Sequence, residues 1–186
     1  IDEQHKFGVQ QRISLLDKSS YCHTLIMSAT PIPRSLTFAM YGEISVSNIK
    51  TKPLGRKKII TSIISNRQIN ALLDGIKRKL EKKEQVFWVL PFIGENEEDE
   101  NNDNGVISRF NFLNEKFKNN VGMLHGKLHK DQINANMKEF KEKKKMILVA
   151  TTVIEVGINI PSASLIIIES ANKFGLAQLH QLRGRI

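Results

Sequence analysis

Two arginines flank a glycine near the end of the sequence, in the stretch from Gln178 to Ile186 (QLHQLRGRI). Arginine carries a fixed charge and a planar fork of donors, which suits phosphate oxygens. A glycine between two arginines lets the backbone come close to whatever they bind. A solvated basic C-terminus explains these residues equally well. The choice between the two interpretations therefore depends on the rest of the chain.

Two adjacent carboxylates, Asp2 and Glu3, follow the apolar Ile1 and precede Gln4 and His5. At the end of a strand, a turn can bring both carboxylates toward one cleft. One could then hold Mg²⁺, which prefers a carboxylate together with phosphates and waters, and the other could orient an attacking water. The alternative is an acidic N-cap of the following helix. Taken alone, the pair favours the cap.

Two other polar segments follow short apolar runs. Ser28 and Thr30 come after the run Leu25–Met27, and their hydroxyls could relay between a nucleotide site and another surface or simply cap the next helix. Thr151 and Thr152 follow the run Met146–Ala150 and, with Glu155, resemble a capping box. Free amides at such a helix start, together with two hydroxyls, could bind a phosphate. Gly157 permits a tight return of the chain.

Composition bounds the function classes. The 186 residues allow one domain, or one and a part, and the net charge of +9 with a pI near 9.7 makes a polyanion a plausible partner. Basic stretches are also common on solvated faces, so charge alone does not decide. One cysteine excludes an internal disulfide and suits a reducing cytosol, which predicts a cytoplasmic location. No apolar run is long enough to predict a membrane span.

Apolar runs and helical periodicities alternate along the chain, which predicts a parallel α/β sheet with ligand groups at the carboxyl ends of its strands. The predicted strands are Leu25–Met27, Ile59–Ile64, Val86–Ile93, Val121–Leu124, Met146–Ala150 and Leu165–Glu169. The predicted helices are Arg34–Tyr41, an apolar face from Ile69 to Leu80, Ile107–Phe117, Asp131–Lys144, and one from about Leu176. The polar stretch Ile44–Lys58 is typical of a linker, and the acidic Gly94–Gly105 of an exposed loop. His125, at the end of a strand, is more typical of a structural than a ligand-binding histidine.

The motifs taken together resemble superfamily 2 helicases, and among them the RecG family of branched-DNA helicases. Any one motif is weak, but their order and spacing across nearly the whole chain are specific. The segments that carry the resemblance are IDEQHKFGVQQR (1–12), MSATPIPRSL (27–36), PLGRKKI (53–59), FWVLPFIGENEE (87–98), LHGKL (124–128), ILVATTVIEVGINIPSASLIIIE (147–169) and FGLAQLHQLRGRI (174–186).

The resemblance implies two RecA-like (P-loop NTPase-like) lobes with ATP between them. It divides the chain into the end of lobe one (1–50), a linker (51–58) and a truncated lobe two (59–186). Catalytic roles fall on Asp2, Glu3 and Arg185, with Asp2 holding Mg²⁺ through the nucleotide. Cofactor-binding roles fall on Gln4, His5, Gly157, Gln181 and Arg183. Nucleic-acid-binding or coupling roles fall on Ser28, Thr30, Arg34, Thr151, Thr152 and Glu155. Asn159 stands where related helicases often have Asp, so no carboxylate role is expected there.

The resemblance also implies a function and its limits. The parent protein is expected to be a monomeric, ATP-dependent motor that remodels replication forks and Holliday junctions in DNA repair and recombination. The phosphate-binding loop and the last arginine of the family's arginine motif lie beyond this sequence, so both ends look cut and the chain alone is expected to be inactive. The alternatives are the motor of a transcription-repair coupling factor, or a non-catalytic remnant of a split or decayed helicase gene.

Overall fold

The structure, a computed structural model, describes residues 1, 8, 10–11, 14, 23–28, 45–49, 51, 58–94, 105–151 and 163–186. Contacts between residues divide the chain into two units, Ile1–Arg56 and Lys57–Ile186. The division into lobe one, linker and lobe two remains a prediction.

In the first unit, two short backbone pieces meet. The terminal ammonium of Ile1 donates to the Leu25 carbonyl at 2.7 Å, and the Met27 amide donates to the Ile1 carbonyl at 2.9 Å. The prediction of a buried strand at Leu25–Met27 is wrong, because Met27 makes an isolated bridge and both Leu25 and Met27 are exposed. An apolar run shows that a segment is hydrophobic. It does not show whether other elements pack beside the segment, as a buried strand requires. The predicted helix Arg34–Tyr41 lies outside the described residues.

The second unit holds a four-stranded sheet. Its elements are α1 (Ile69–Glu81), β1 (Gln85–Val89), α2 (Val106–Phe117), β2 (Val121–Leu124), α3 (Lys130–Lys141), β3 (Ile147–Ala150), β4 (Ala163–Ile168) and α4 (Leu176–Arg183). Short 3-10 helices at Asn66–Gln68 and Ala171–Lys173 precede α1 and α4. All strand pairs are parallel, in the order β2-β3-β1-β4. The predicted parallel α/β sheet is confirmed.

Alternate residues of β1 point into two cores, as the two-residue period of a strand requires. Val86 and Trp88 pack with α1 and α2 on one face, and Phe87 and Val89 pack with α3 and α4 on the other. All five residues of β1 are buried. A strand buried on both faces is a near-continuous apolar run, which is why the sequence VFWVL was readable as a central strand.

Several elements differ from the prediction. The strand predicted at Val86–Ile93 spans Gln85–Val89 and so ends four residues earlier, while the bounds of the other strands of the sheet and of α2 shift by at most two residues. Ile59–Ile64 is not a strand: no ladder partner pairs with it in the described part of the chain, and Ile60 and Ile63 are 88% and 102% exposed. β-branched composition favours a strand but does not supply a neighbour to pair with. Helix α3 ends at Lys141 rather than at Lys144, because Lys143 adopts a left-handed conformation with φ 60°.

The end of α1 and the end of α3 have the same geometry. At α1, the Glu84 amide donates to the Lys79 carbonyl and the Lys83 amide to the Leu80 carbonyl; at α3, the Lys144 amide donates to Glu139 and the Lys143 amide to Phe140. These paired bonds define a Schellman motif, whose left-handed residue is usually glycine. Here that residue is a lysine in both helices, Lys83 (φ 57°) and Lys143 (φ 60°).

The start of α2 is fixed by a backbone crossing between two glycines. Gly94 has φ 81°, and a Cβ on Gly105 would lie 2.4 Å from the Gly94 Cα. Only glycine at position 105 tolerates this approach. The Val106 amide donates to the Phe92 carbonyl at 3.2 Å, so the end of the β1 segment and the start of α2 are held together.

No helix in the described ranges is long and apolar enough to cross a membrane.

Candidate functional site

The carboxyl ends of the four strands are level. Leu124 of β2 is in register with Ala150 of β3, Ala150 with Val89 of β1, and Val89 with Ile168 of β4. The amides that follow continue the ladder: Thr151 donates to Leu124 at 3.1 Å, and Glu169 donates to Val89 at 2.9 Å. Polar residues that follow these strands therefore share one edge. In open α/β sheets this edge is where ligands bind.

Thr151 and His125 are adjacent members of this edge, since each is the first residue after its strand in the neighbouring pair β3 and β2. Both are buried, at 7% and 6% exposure. For Thr151, burial at the edge is compatible with the predicted contact to a phosphate or with a structural role. For His125, burial agrees with the structural role expected from its position at a strand end.

Glu169 is the most strongly tethered side chain of the edge, and sequence reasoning missed its role. Its carboxylate accepts from Trp88 Nε1 at 2.8 Å, from Arg109 Nε at 2.9 Å and from Arg109 Nη2 at 2.5 Å. Arg109 thus grips it with two parallel bonds, the strong form of an arginine–carboxylate pair. The side chains of Arg109 and Glu169 are only 14% and 15% exposed.

Aromatic rings complete this cluster. The Arg109 guanidinium lies 5.3 Å from the ring centroid of Trp88 and 5.3 Å from that of Phe112, a cation–π arrangement on both. The cluster joins β1, α2 and the end of β4. Its only sequence signal was a polar residue directly after the apolar run LIII, and a polar residue after an apolar run is also the signal that singled out Thr151.

Helix α4 carries the arginine motif. Its start is capped by the Gln178 side chain, which accepts from the Gly175 amide at 3.1 Å. Leu182 is fully buried and anchors the helix in the core formed with β1 and α3. This anchoring fixes the position of the residues on either side of Leu182.

The three predicted residues of this motif differ in exposure. Arg183 is exposed, and its Nη2 lies 3.5 Å from His180 Nδ1. Gln181 and Arg185 are half-buried. Gly184 has φ −73°, so it ends the helix without requiring a glycine-only conformation. The two arginines of the motif thus differ, Arg183 being exposed and Arg185 half-buried.

The predicted site residues are only partly described. Ser28 lies in the first unit and is exposed, whereas Thr151, Gln181, Arg183 and Arg185 lie in the second unit, directly after β3 and at the end of α4. The residues outside the described part are Asp2, Glu3, Gln4, His5, Thr30, Arg34, Thr152, Glu155 and Gly157. The assembly of these residues into one site remains a prediction. Among the described residues, no group of three His, Cys, Asp or Glu side chains could hold a metal ion.

Comparisons with known proteins agree along the whole chain. The profile of the helicase conserved C-terminal domain matches residues 67–186. The chain is 44% identical over 188 residues to the ATP-dependent DNA helicase RecG of Synechocystis sp., and 42% identical over 187 residues to that of Bacillus subtilis. Each alignment covers 100% of the chain, but only 22% and 27% of the respective relative. The chain thus spans about a quarter of the length of these curated relatives.

A solved structure agrees with the sequence relatives. The structure of RecG bound to a three-way DNA junction superimposes with a TM-score of 0.71 at 38% identity, covering 100% of this chain and 23% of that one. The aligned region includes the four-stranded sheet of the second unit. The chain belongs to the helicase conserved C-terminal domain family, and over its full length it aligns with a segment of the RecG helicases.

Proposed function

We propose that the chain is part of the motor of an ATP-dependent DNA helicase that remodels branched DNA, such as replication forks and Holliday junctions, in repair and recombination. The observation that carries this proposal is the identity of 42% to 44% to RecG helicases over the full length of the chain. The relative solved on a three-way junction supports branched DNA as the substrate class. The level row of polar residues at the carboxyl edge supports a ligand site there.

The roles of the site residues follow from their chemistry. Arg185 and Arg183 would stabilise negative charge on the phosphates of a nucleotide, since arginines placed there act on the charge that develops during phosphoryl transfer. Thr151 has a hydroxyl at the sheet edge, where it would contact a phosphate of nucleic acid. Thr152 and Glu155 would continue this contact surface, and Gly157 would allow close approach of the nucleotide.

Further roles are proposed for residues of the first unit. Asp2 and Glu3 would hold Mg²⁺ and orient the attacking water, with Gln4 and His5 contacting the nucleotide. Ser28, Thr30 and Arg34 would couple the nucleotide state to movement on DNA. The residue types present match ATP with Mg²⁺: carboxylates for the ion and fixed cations, Arg183 and Arg185, for the phosphates. When bound, ATP supplies the phosphoryl group whose hydrolysis drives movement.

A chimera tests this function. Residues 1–186 replace the matching segment of Bacillus subtilis RecG, and ATP hydrolysis is measured with and without a three-way DNA junction. We expect junction-stimulated hydrolysis in the chimera and a loss of about 100-fold or more with Arg185→Ala, since arginines of this kind contribute about 10³ to 10⁵ in rate. The isolated 186-residue chain should hydrolyse no ATP above background, because its sequence has no GKT or GKS phosphate loop.

The matched control is Lys173→Ala, an exposed cation outside the motif. It should leave hydrolysis by the chimera within about twofold of the unsubstituted level. A folded chimera without junction-stimulated hydrolysis would contradict the proposal, as would an Arg185→Ala chimera of undiminished activity. Hydrolysis by the isolated chain would show that the active unit is smaller than proposed.

A further inference from the structure

The ends of the strands opposite the candidate site form a strongly basic surface, here called the amino edge. It consists of the helix ends and turns that lead into β1, β3 and β2, at residues 78–84, 138–145 and 115–119. These segments contain eleven basic and five acidic residues. Because the three strands are neighbours in the order β2-β3-β1, their preceding turns also lie side by side, about 4.8 Å apart per strand.

Hydrogen bonds hold these turns in one row. Lys145 Nζ donates to the Asn119 carbonyl at 2.8 Å, which joins the turn before β3 to the turn before β2. Gln85, at the start of β1, is fully buried, and its Nε2 donates to the Phe140 carbonyl at 2.6 Å and to the Lys145 carbonyl at 3.0 Å. The third turn is therefore tied to the same row. The backbone that carries the lysines is a fixed platform.

The acidic side chains of this edge leave much of its positive charge uncompensated. Glu84 pairs with Lys79 at 2.7 Å, and Glu142 pairs with Lys144 at 2.7 Å. The Lys79 hydrogen bond lowers the pKa of Glu84, and the Lys144 hydrogen bond lowers the pKa of Glu142, so both acids are ionised and engaged at neutral pH. Six exposed lysines make no ion pair with any residue that the structure describes: Lys82, Lys83, Lys116, Lys118, Lys141 and Lys143.

Two of these six lysines occupy strained positions. Lys83 and Lys143 are the left-handed residues of the two Schellman motifs, with φ 57° and 60°. Glycine is the usual residue there, because a side chain is disfavoured in this conformation. A lysine at both positions increases the charge of the edge while it strains the backbone. Strain of this kind is a reason to look for a function.

The surface has the composition of a contact to a phosphate backbone and not of a contact to protein. Protein interfaces are depleted of lysine and depend on buried aromatic, methionine or arginine anchors. Among the described residues, the large exposed apolar side chains all lie outside the amino edge. Lysine ammonium groups act as point charges that neutralise phosphates without reading base sequence.

We propose that the amino edge binds the phosphodiester backbone of a DNA duplex, as a second nucleic-acid surface at the end of the sheet opposite the candidate site. If the proposed function holds, such a surface would bind a duplex arm of branched DNA. Binding should not depend on sequence and should weaken steeply with salt, because each phosphate contact releases condensed counterions.

Fluorescence anisotropy with a labelled blunt duplex, measured with the 186-residue chain at several salt concentrations, tests the proposal. Replacing the six unpaired lysines by glutamine should weaken binding by about tenfold or more. It should also reduce the slope of log K against log salt by about 0.9 for each phosphate that the variant no longer neutralises. A milder variant, Lys83→Gly with Lys143→Gly, should weaken binding without lowering the unfolding midpoint. That midpoint distinguishes weaker binding from a failure to fold.

The matched control is Lys58→Gln with Lys173→Gln, which removes two exposed charges elsewhere. Unchanged affinity and slope in the six-lysine variant would overturn the proposal. So would a loss of affinity in the two-lysine control equal to the loss in the Lys83→Gly, Lys143→Gly variant. Poly-glutamate that binds the edge as tightly as the duplex would also overturn it, in favour of an acidic protein partner. None of these results depends on ATP hydrolysis, so an inactive RecG chimera would contradict the proposed function and leave this surface standing.

Discussion

Glu169 illustrates a partly buried charge whose carboxylate is held by several hydrogen bonds. Three donors converge on its carboxylate, and the guanidinium that provides two of them lies against two aromatic rings. A buried pair of this kind gives little net stability compared with an apolar pair, but removal of one partner leaves a buried, uncompensated charge. The cluster therefore holds together β1, α2 and the segment that leads to α4.

We expect Glu169→Gln to lower the free energy of unfolding by about 3 kcal/mol, because Arg109 would keep its charge without a partner in a site that is only 14% exposed. Urea unfolding followed by the fluorescence of Trp88, the single tryptophan, measures this change. The exposed Glu115→Gln, on the same helix as Arg109, is the control and should stay within about 0.5 kcal/mol. The double variant Arg109→Leu with Glu169→Leu should cost less than the two single changes added together. An additive result would contradict the pairing.

The sequence alone could not reveal the cluster around Glu169. Arg109 and Glu169 are 60 positions apart, and each alone is an ordinary charged residue on an amphipathic helix or after a strand. Their proximity depends on the pairing of β4 with β1 rather than with β3. The hydrophobic periodicity of a sequence does not indicate the order of strands in a sheet. Thr151 and the arginines of α4 were easier to identify, because their signal is local: polar residues that follow an apolar run, and arginines around a glycine.

At the scale of elements, periodicity predicted the helices and the buried strands of the second unit, but not their ends. Helix α3 was expected to continue to Lys144, from the amphipathic spacing of Ile133, Met137 and Phe140 with the lysines on the other face. It ends at Lys141 because Lys143 closes a Schellman motif, a left-handed turn that the sequence usually announces with glycine. The prediction of a strand at Ile59–Ile64 is wrong for a different reason. The composition of the segment is typical of a strand, but among the described residues no strand pairs with it.

Glycine at these helix ends should stabilise the protein. We expect Lys83→Gly and Lys143→Gly each to raise the free energy of unfolding by about 1 kcal/mol, because glycine adopts φ near +60° without the cost that a side chain imposes. Thermal or urea unfolding measures the change. The neighbouring Lys82, with φ −81°, is a matched control. There the same substitution should lower stability by about 0.5 kcal/mol, since only the entropy cost of glycine remains. Equal effects at Lys82 and Lys83 would contradict the role assigned to the left-handed turn.

At the scale of the whole molecule, the two edges of the sheet have different chemistry. The carboxyl edge gathers Thr151, His125 and Glu169, which are all largely buried. The amino edge gathers exposed lysines on fixed turns, suited to a backbone of phosphates. Parallel strands impose this separation, because each turn that precedes a strand lies at one end and each residue that follows a strand lies at the other.

The two units should also differ in resistance to protease. Both apolar cores are built from residues between Ile69 and Ile186, all within the second unit. Four large apolar residues described in the first unit are exposed, among them Leu25 at 70% and Ile49 at 91%. We therefore expect limited proteolysis to remove residues before about Lys58 first and to leave a resistant product that contains residues 58–186.

Mass spectrometry of the digest identifies this product, and a chain of residues 57–186 provides the comparison. Because the second unit holds both cores, the shortened chain should unfold cooperatively with a midpoint close to that of the full chain. Cleavage that begins within α1 to α4, or a shortened chain that no longer unfolds cooperatively, would mean that residues 1–56 contribute to the stability of the sheet. The stability of the cluster around Glu169 would then depend on both units rather than on the second alone.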